Sequence, residues 1–260
     1  IGFHPPEQLN RIMKKTVLSL FVSSTLFLTG CLETTQEITL NEDGSGTISN
    51  TNDMSALIGM AKQMGGADME GANQVVDSTI SMNAGADSIP NLTAEEKEMV
   101  KKGTLRINMD MKNEKFLTKL SFPFTSPAEV AVYNKLSGKI MSETLKEQMG
   151  EGMPMGGEMP EPSSFDDYYT INFANGLLTK TLDKEKFTRA ADDEYLKSMK
   201  ETAAMGLSMK ANYVINLPRP AKTVEGKGIK LSEDKKTITI SSDLDDFFDD
   251  PSKLEYRIEY

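Results

Sequence analysis

The sequence predicts an α+β fold: a mainly antiparallel sheet built from successive hairpin–helix units, with the helices packed on one face. Three observations carry this reading. Alternating apolar stretches come in pairs joined by turn-rich segments, as hairpins do. Each pair is followed by a stretch with apolar residues at helical spacing. The tail, with "NYVINLP", "KTITIS" and "LEYRIEY", is strand-rich. The chain has 260 residues, 38% hydrophobic and 7% aromatic with no Trp, enough for one large or two small domains around an aliphatic, methionine-rich core.

In chain order, the first recognisable element lies outside that fold. From Met13 the chain reads "MKKTVLSLFVSSTLFLTGC": two lysines, an uncharged and mostly apolar run from Thr16 to Phe27, then small residues. A charged start, an apolar core of about 7–15 residues and small residues at the cut make a secretory signal, here residues 13–30. The run is too short to span a bilayer, which takes about 20 apolar residues. Leu28-Thr29-Gly30-Cys31 resembles the lipobox of bacterial lipoproteins. That resemblance implies cleavage between Gly30 and Cys31, a diacylglycerol on the Cys31 sulfur, and a further acyl chain such as palmitate on the new N-terminus. A thiol is the nucleophile such alkylation needs, and several acyl chains anchor durably where one is marginal. Cys31 is the single cysteine, so an internal disulfide is excluded. Residues 1–12 lie upstream of this complete signal and are read as an upstream translation artefact.

The fold is expected to start within a few residues of Cys31 and to form one domain, residues 31–260. In "QEITLNEDGSGTISN", Ile38 and Leu40 alternate before a turn and Thr47, Ile48 and Ser49 resume after it. "DMSALIGMAKQMGG" sets Met54, Leu57, Ile58, Ala61 and Met64 at helical spacing, capped by Asp53 and stopped by Gly65-Gly66. Residues 65–92, rich in Gly, Asn, Ala and Ser, are expected to be flexible up to a short capped helix at "TAEEKEMVKK".

The second unit pairs "TLRINMDM", with Leu105, Ile107, Met109 and Met111 on one face, with "KFLTKLSF", which offers Phe116, Leu120 and Phe122. Its helix opens on a capping box of Ser126 and Glu129 with Pro127 at the first helical position. Val130, Tyr133, Ile140, Met141 and Leu145 form the apolar stripe. Residues 149–162, "MGEGMPMGGEMPEP", carry too much Gly and Pro for regular structure and make a second flexible segment. The third unit is "YYTINFANGLLTKTL", turning at Asn175-Gly176, the strongest short hairpin signal. Its helix is "DDEYLKSMKETAAMGLSM".

Charge and composition exclude several functions. Net charge is −10, and removing Arg11, Lys14, Lys15 and Glu7 with residues 1–30 takes 29 basic and 39 acidic groups to 26 and 38, or −12. So acidic a body does not bind nucleic acid through a phosphate-neutralising patch, and electrostatics does not draw it to an anionic bilayer. The one histidine, His4, lies upstream of the cut. A mature chain without histidine, whose thiol is consumed by lipid, cannot build Cys-His or Ser-His-Asp catalysis. It is expected not to be an enzyme and to need no cofactor.

Four features are weighed as sites. "NEDGSGTI" sets Asn41, Asp43, Ser45 and Gly46 as a calcium loop would, but Asn52 stands where the bidentate Glu belongs. It reads as a Gly-rich hairpin turn. Asp243, Asp245, Asp246, Asp249 and Asp250 could hold a hard cation, against the simpler reading of a solvated acidic run. Met149, Met153, Met155 and Met159 are soft thioethers suited to Cu(I) and equally to adaptable contact with a partner. "DST" and "DSI", with Ser78 and Ser88, resemble the sites at which Bacteroidetes O-glycosylate exported proteins.

The lipobox followed by "ITLNEDGSGTI", with the late "YVINLPRPAKTVEG" and "KTITIS", resembles a group of bacterial envelope lipoproteins similar to the LppM-like domain of mycobacteria and to many Bacteroidetes sequences. The mycobacterial pattern adds a C-terminal membrane helix where this chain reads "EYRIEY". The resemblance offers no catalytic residues. It implies a lipid-anchored envelope protein, periplasm-facing or surface-exposed, that works as a non-catalytic binding or accessory module with an envelope protein as partner. Leu32 after the cysteine, in place of Asp, points to the outer membrane by analogy with better-known bacteria. The alternative is a metal-handling lipoprotein using the Met-rich loop for Cu(I) or the Asp cluster for calcium.

Overall fold

Period-two alternation buries one face of each strand, and in this chain the alternating stretches become twelve described strands. They are β1 (Gly30–Leu40), β2 (Gly46–Asp53), β3 (Val75–Ser81), β4 (Thr104–Asp110), β5 (Lys115–Phe124) and β6 (Tyr169–Ala174). The remainder are β7 (Leu177–Leu182), β8 (Leu207–Asn216), β9 (Thr223–Gly226), β10 (Ile229–Leu231), β11 (Thr237–Asp243) and β12 (Tyr256–Glu259). The structure, a computed structural model, describes residues 30–56, 58–59, 74–149, 163–204 and 207–260.

The fold is α+β as expected, but the strands form two sheets rather than one. The large sheet runs β10-β11-β8-β1-β2-β5-β4-β3 and the small one β6-β7-β12-β9. Every described pairing is antiparallel except β1 with β8. The first two expected hairpins enter the large sheet and the third builds the small one. Alternation fixes which side chains face inward, but leaves open which strand pairs with which.

Registry shows the core face directly. Ile238, Ile215, Ile38, Ile48 and Phe122 stand opposite one another in one row across β11, β8, β1, β2 and β5. All are fully buried. The opposite face of the same strands is polar: Asn212 joins Glu33 to Ser241, and Asn216 joins Glu37 and Thr39 to Thr237. An antiparallel sheet with one wet face accounts for this split.

The expected turn at 41–45 closes β1–β2, with Gly44 at φ 84° and the Asp43 carboxylate accepting from the Ser45 N–H and hydroxyl. Those two bonds hold the Asp43 carboxyl below the usual range. Gly46 has to be glycine, since a Cβ there would sit 2.0 Å from the Thr39 carbonyl oxygen.

Five helices longer than a single 3-10 turn are described: α1 (Ala94–Val100), α2 (Val130–Met149), α3 (Lys184–Phe187), α4 (Glu194–Ala204) and α5 (Leu244–Asp249). Thr93 and Glu96 close a full capping box on α1. At α2 the expected box is modified. Ser126 accepts from Ala128 N–H across a 3-10 turn at Pro127–Glu129, while Glu129 reaches back to the Thr125 N–H and hydroxyl. Val130, Tyr133, Leu136 and Ile140 bury against β2 and β5. The helix expected over 192–209 is shorter, because Leu207 already opens β8.

Residues 75–92, expected to be flexible, hold β3 and a 3-10 turn at Ala86–Ser88. "VVDSTIS" is β-branched enough to pair with β4 at the sheet edge, despite its Gly- and Asn-rich surroundings. The earlier part of that segment, and residues 150–162, lie outside the described residues. Residues 55, 56, 58 and 59 are helical, as the 53–66 pattern expects, and Ile58 is buried.

α3, α5 and the 3-10 turn at Phe165–Tyr168 meet in a second cluster. Phe247 stacks on Phe165 at 4.5 Å between centroids and meets Phe187 edge-on at 5.4 Å. Beside it, Asp193 caps α4 by accepting from Leu196 N–H, and accepts the Tyr168 hydroxyl at 2.7 Å. Desolvation pushes the Asp193 carboxyl up, but the bonds led by the Tyr168 hydroxyl and the Leu196 N–H outweigh it and hold the group below the usual range. A depressed folded value stabilises above the unfolded carboxyl value of about 3.9, and this contribution fades as pH falls through the folded value. The stability gap between the native chain and Asp193→Asn, read from urea midpoints, should therefore narrow on acidification below about pH 4. A gap independent of pH would refute the assignment.

Candidate functional site

β7 carries an anomaly in its pattern. Leu178, Lys180 and Leu182 occupy the inward positions of the strand, so Lys180 enters the core where a third apolar residue would be expected. Its side chain is 2% exposed. The ammonium contacts Asp166 Oδ1 at 2.5 Å and lies 4.6 Å from the Tyr169 ring and 4.3 Å from the Tyr213 ring. A buried lysine survives only when paired and hydrogen-bonded, and here a carboxylate and two π faces supply that.

A chain of polar groups continues from this pair. Asn134 Nδ2 of α2 donates to Asp166 Oδ2 at 2.8 Å, and Asn134 Oδ1 accepts from Gln36 Nε2 of β1 at 3.0 Å. Gln36 also reaches Asn50 Oδ1 of β2. Asp166 is held by the 3-10 turn in which Ser164 Oγ accepts its N–H, and Asp167 accepts the Ser164 N–H in return. The chain thus ties the large sheet, α2 and the small sheet together. Tyr169 donates its hydroxyl to the Pro251 carbonyl. Burial, reinforced by the nearby Asp166 charge, pushes the Tyr169 and Tyr213 phenols up. Both stay neutral.

This network floors a groove between α2 and β6. One cavity of about 160 Å³ is lined by Asn134, Lys135, Ser164, Asp166, Asp167 and Tyr169 among others. An adjoining one of about 390 Å³ runs along Pro127, Ala128 and Ala131 on one side and Ile171–Ala174 on the other. Ala131 and Ile171 line both. Lys180, behind this lining, and Asp166 are mutually engaged and buried.

The residues singled out from sequence fall elsewhere. Gly30 and Cys31 lie in β1, opposite Leu207 and Ser208 of β8. Asp243 caps α5 by accepting from Asp246 N–H, Asp246 pairs with Lys253, and Asp250 pairs with Lys227 and accepts from Ser252. Asp245 and Asp249 face solvent. Among the described residues no group of three or more His, Cys, Asp or Glu is placed to hold a metal. Three of the five carboxylates around α5 are divided among separate partners and two face solvent. Met149 ends α2, while Met153, Met155 and Met159 lie outside the described residues. Ser78 stands opposite Ile107 within the β3–β4 ladder, and Ser88 is exposed on the 3-10 turn.

Lys180, Asp166 and Asn134 were missed from sequence. The available signal was Lys180 itself, a charge at the inward register of "LLTKTL".

No family model matches the chain, and no curated protein does. Among solved structures, the NMR structure of the folded domain of Mycobacterium tuberculosis LppM aligns over 91% of this chain and 94% of that one, at 8% identity and a TM-score of 0.38. No helix among the described residues is long and apolar enough to cross a membrane.

Proposed function

We propose that this chain is a lipid-anchored, non-catalytic binding or accessory module of the bacterial cell envelope, carried on the outer membrane by acyl chains at Cys31. The observation that carries the reading is where β1 starts. Cys31 pairs with Ser208, and the ladder runs unbroken to Thr39 opposite Asn216. A cut between Gly30 and Cys31 leaves that ladder intact and no tether between lipid and sheet. The end of the sheet that holds Cys31 then rests at the headgroups. With a rise of about 3.3 Å per residue, the turn at 41–45 stands on the order of 30 Å above them.

Such a domain works close to its membrane, which suits a subunit of an envelope assembly better than a far-reaching capture protein. The proposal as a non-enzyme follows from the residues left after the cut: no histidine, and a thiol committed to lipid.

Cys31→Ala tests the anchor. The variant should accumulate uncleaved and without lipid, read by intact mass and by labelling with a fatty-acid analogue. Normal maturation of that variant would sink the reading.

A further inference from the structure

We infer that two copies of this chain pair antiparallel through the free edge of β3, about a two-fold axis at Ser78, and join their large sheets on one membrane. The inference takes its geometry from the lipid-anchor reading and names the partner of the module as a second copy.

Free edges are normally blunted by charge, proline or shortness, or are covered. Three of the four sheet edges obey. β10 is three residues with Lys230, β9 is four with Glu225, and β6 packs against the 3-10 turn at Pro127–Glu129. β3 differs. "VVDSTIS" is seven residues long, and among the described residues only β4 pairs with it. Two of the four exposed large hydrophobic side chains, Val75 and Ile80, stand on this strand.

The strand is complementary to itself. Registry places Val76, Ser78 and Ile80 on the core face, opposite Met109, Ile107 and Leu105, which lead on to Phe116, Thr118 and Leu120. Asp77 and Thr79 lie on the polar face. Antiparallel pairing about Ser78 sets Ile80 against the copy's Val76, so two apolar rows cross the junction. On the polar face it sets Asp77 against the copy's Thr79, which stands opposite that copy's Arg106. Arg106 already bonds Asp77 of its own chain at 3.2 Å, so each carboxylate meets a cation from both sides. Moving the axis to Asp77 would oppose two carboxylates directly, which is destabilising. Charge therefore selects the register.

Sheet twist makes this pairing compatible with one bilayer. Adjacent strands rotate by about 20–25°, so the four steps from β1 to β3 turn through about 80–100°. With β1 along the bilayer normal, β3 lies near the bilayer plane. A two-fold axis perpendicular to the sheet at β3 then runs along the normal, and both Cys31 residues meet the same leaflet. A seven-residue strand pair is small against the roughly 1,200–2,000 Å² of a stable interface. Confinement to one membrane supplies the effective concentration that completes it.

The test uses the lipidated chain in phosphatidylcholine vesicles. Because lipid occupies Cys31, Ser78→Cys adds a single free thiol, and diamide oxidises opposed thiols to a disulfide. Residues directly opposite have Cα atoms about 4.5–5.5 Å apart, within disulfide reach. Ser78→Cys should therefore give a linked dimer. Thr79→Cys and Ile80→Cys, which stand two and four residues out of register with their own copies, should give about tenfold less. Adding Thr79→Asp to Ser78→Cys opposes Asp77 twice per dimer and should cut the yield about fivefold. Its urea midpoint should stay unchanged, since Thr79 is exposed. Three results would overturn the inference: no disulfide from Ser78→Cys, equal yields at all three positions, or a yield indifferent to Thr79→Asp. The mass of the Cys31 fragment reports the anchor independently. A lipidated chain that stays monomeric refutes the pairing alone, and an unlipidated chain with the same Ser78 dimer refutes the anchor alone.

Discussion

Lys180→Ala will destabilise the fold by about 3–5 kcal/mol, seen as a large fall in the urea midpoint, because it leaves the Asp166 carboxylate buried without its cation. Asp166 has only 8% of its side chain exposed, so water cannot replace the ammonium freely. Asn134 would remain as a donor to one carboxylate oxygen, which is too little for a full charge. The loss also removes the ammonium that lies over the Tyr169 and Tyr213 rings. Removing both charges together should be far milder, since a buried pair is often matched by apolar residues of similar volume. Lys180→Met with Asp166→Asn is therefore expected to recover at least half of the single-variant loss. A single-variant loss below about 1 kcal/mol, the worth of an exposed pair, would show that the site is wetter than its geometry implies.

Phe247→Ala should cost about 3–5 kcal/mol, the range for truncating a buried aromatic residue. Phe247 is fully buried and touches four other rings: Phe165, Phe187, Tyr168 and Phe248. Each such pair adds about 0.5–1.5 kcal/mol beyond area burial. Its acidic neighbours should behave oppositely. Asp245→Ala and Asp249→Ala, both exposed, are expected to stay within about 0.5 kcal/mol of the native chain. The contrast assigns "DLDDFFDD" its role as a helical turn pinned through one phenylalanine with a solvated acidic flank. A stability gain on adding calcium would contradict that assignment.

Much of the local structure was legible before any coordinates. Alternation around Ile38, Ile48, Leu120 and Phe122 marked inward faces that are indeed buried. Asn175-Gly176 marked the β6–β7 turn, where Gly176 has φ 89°. Thr93 with Glu96 marked a helix start. The misreadings share a cause. β3 was hidden because composition over a long window outweighed a seven-residue alternating run. The helix expected over 192–209 overran because periodicity blurs at an element's end, whereas the competing strand is defined by its pairing with β1.

The groove was legible only in fragments. Lys180 stands in the sequence as a lysine between two leucines, and nothing local says that Asp166, fourteen positions earlier, and Asn134, on a helix, close around it. The chain alone settles what depends on neighbours a few residues apart: turns that require glycine, caps that satisfy free N–H groups, and the period that sorts each strand into an inner and an outer face. Partner choice is different in kind. The division into two sheets and the parallel docking of β8 on β1 join residues far apart in the chain, as does the union of β6, β7 and α2 around one buried ion pair. Their selection rests on which assembly buries the most apolar surface while leaving no charge unpaired, a comparison among whole folds that no short stretch of sequence contains.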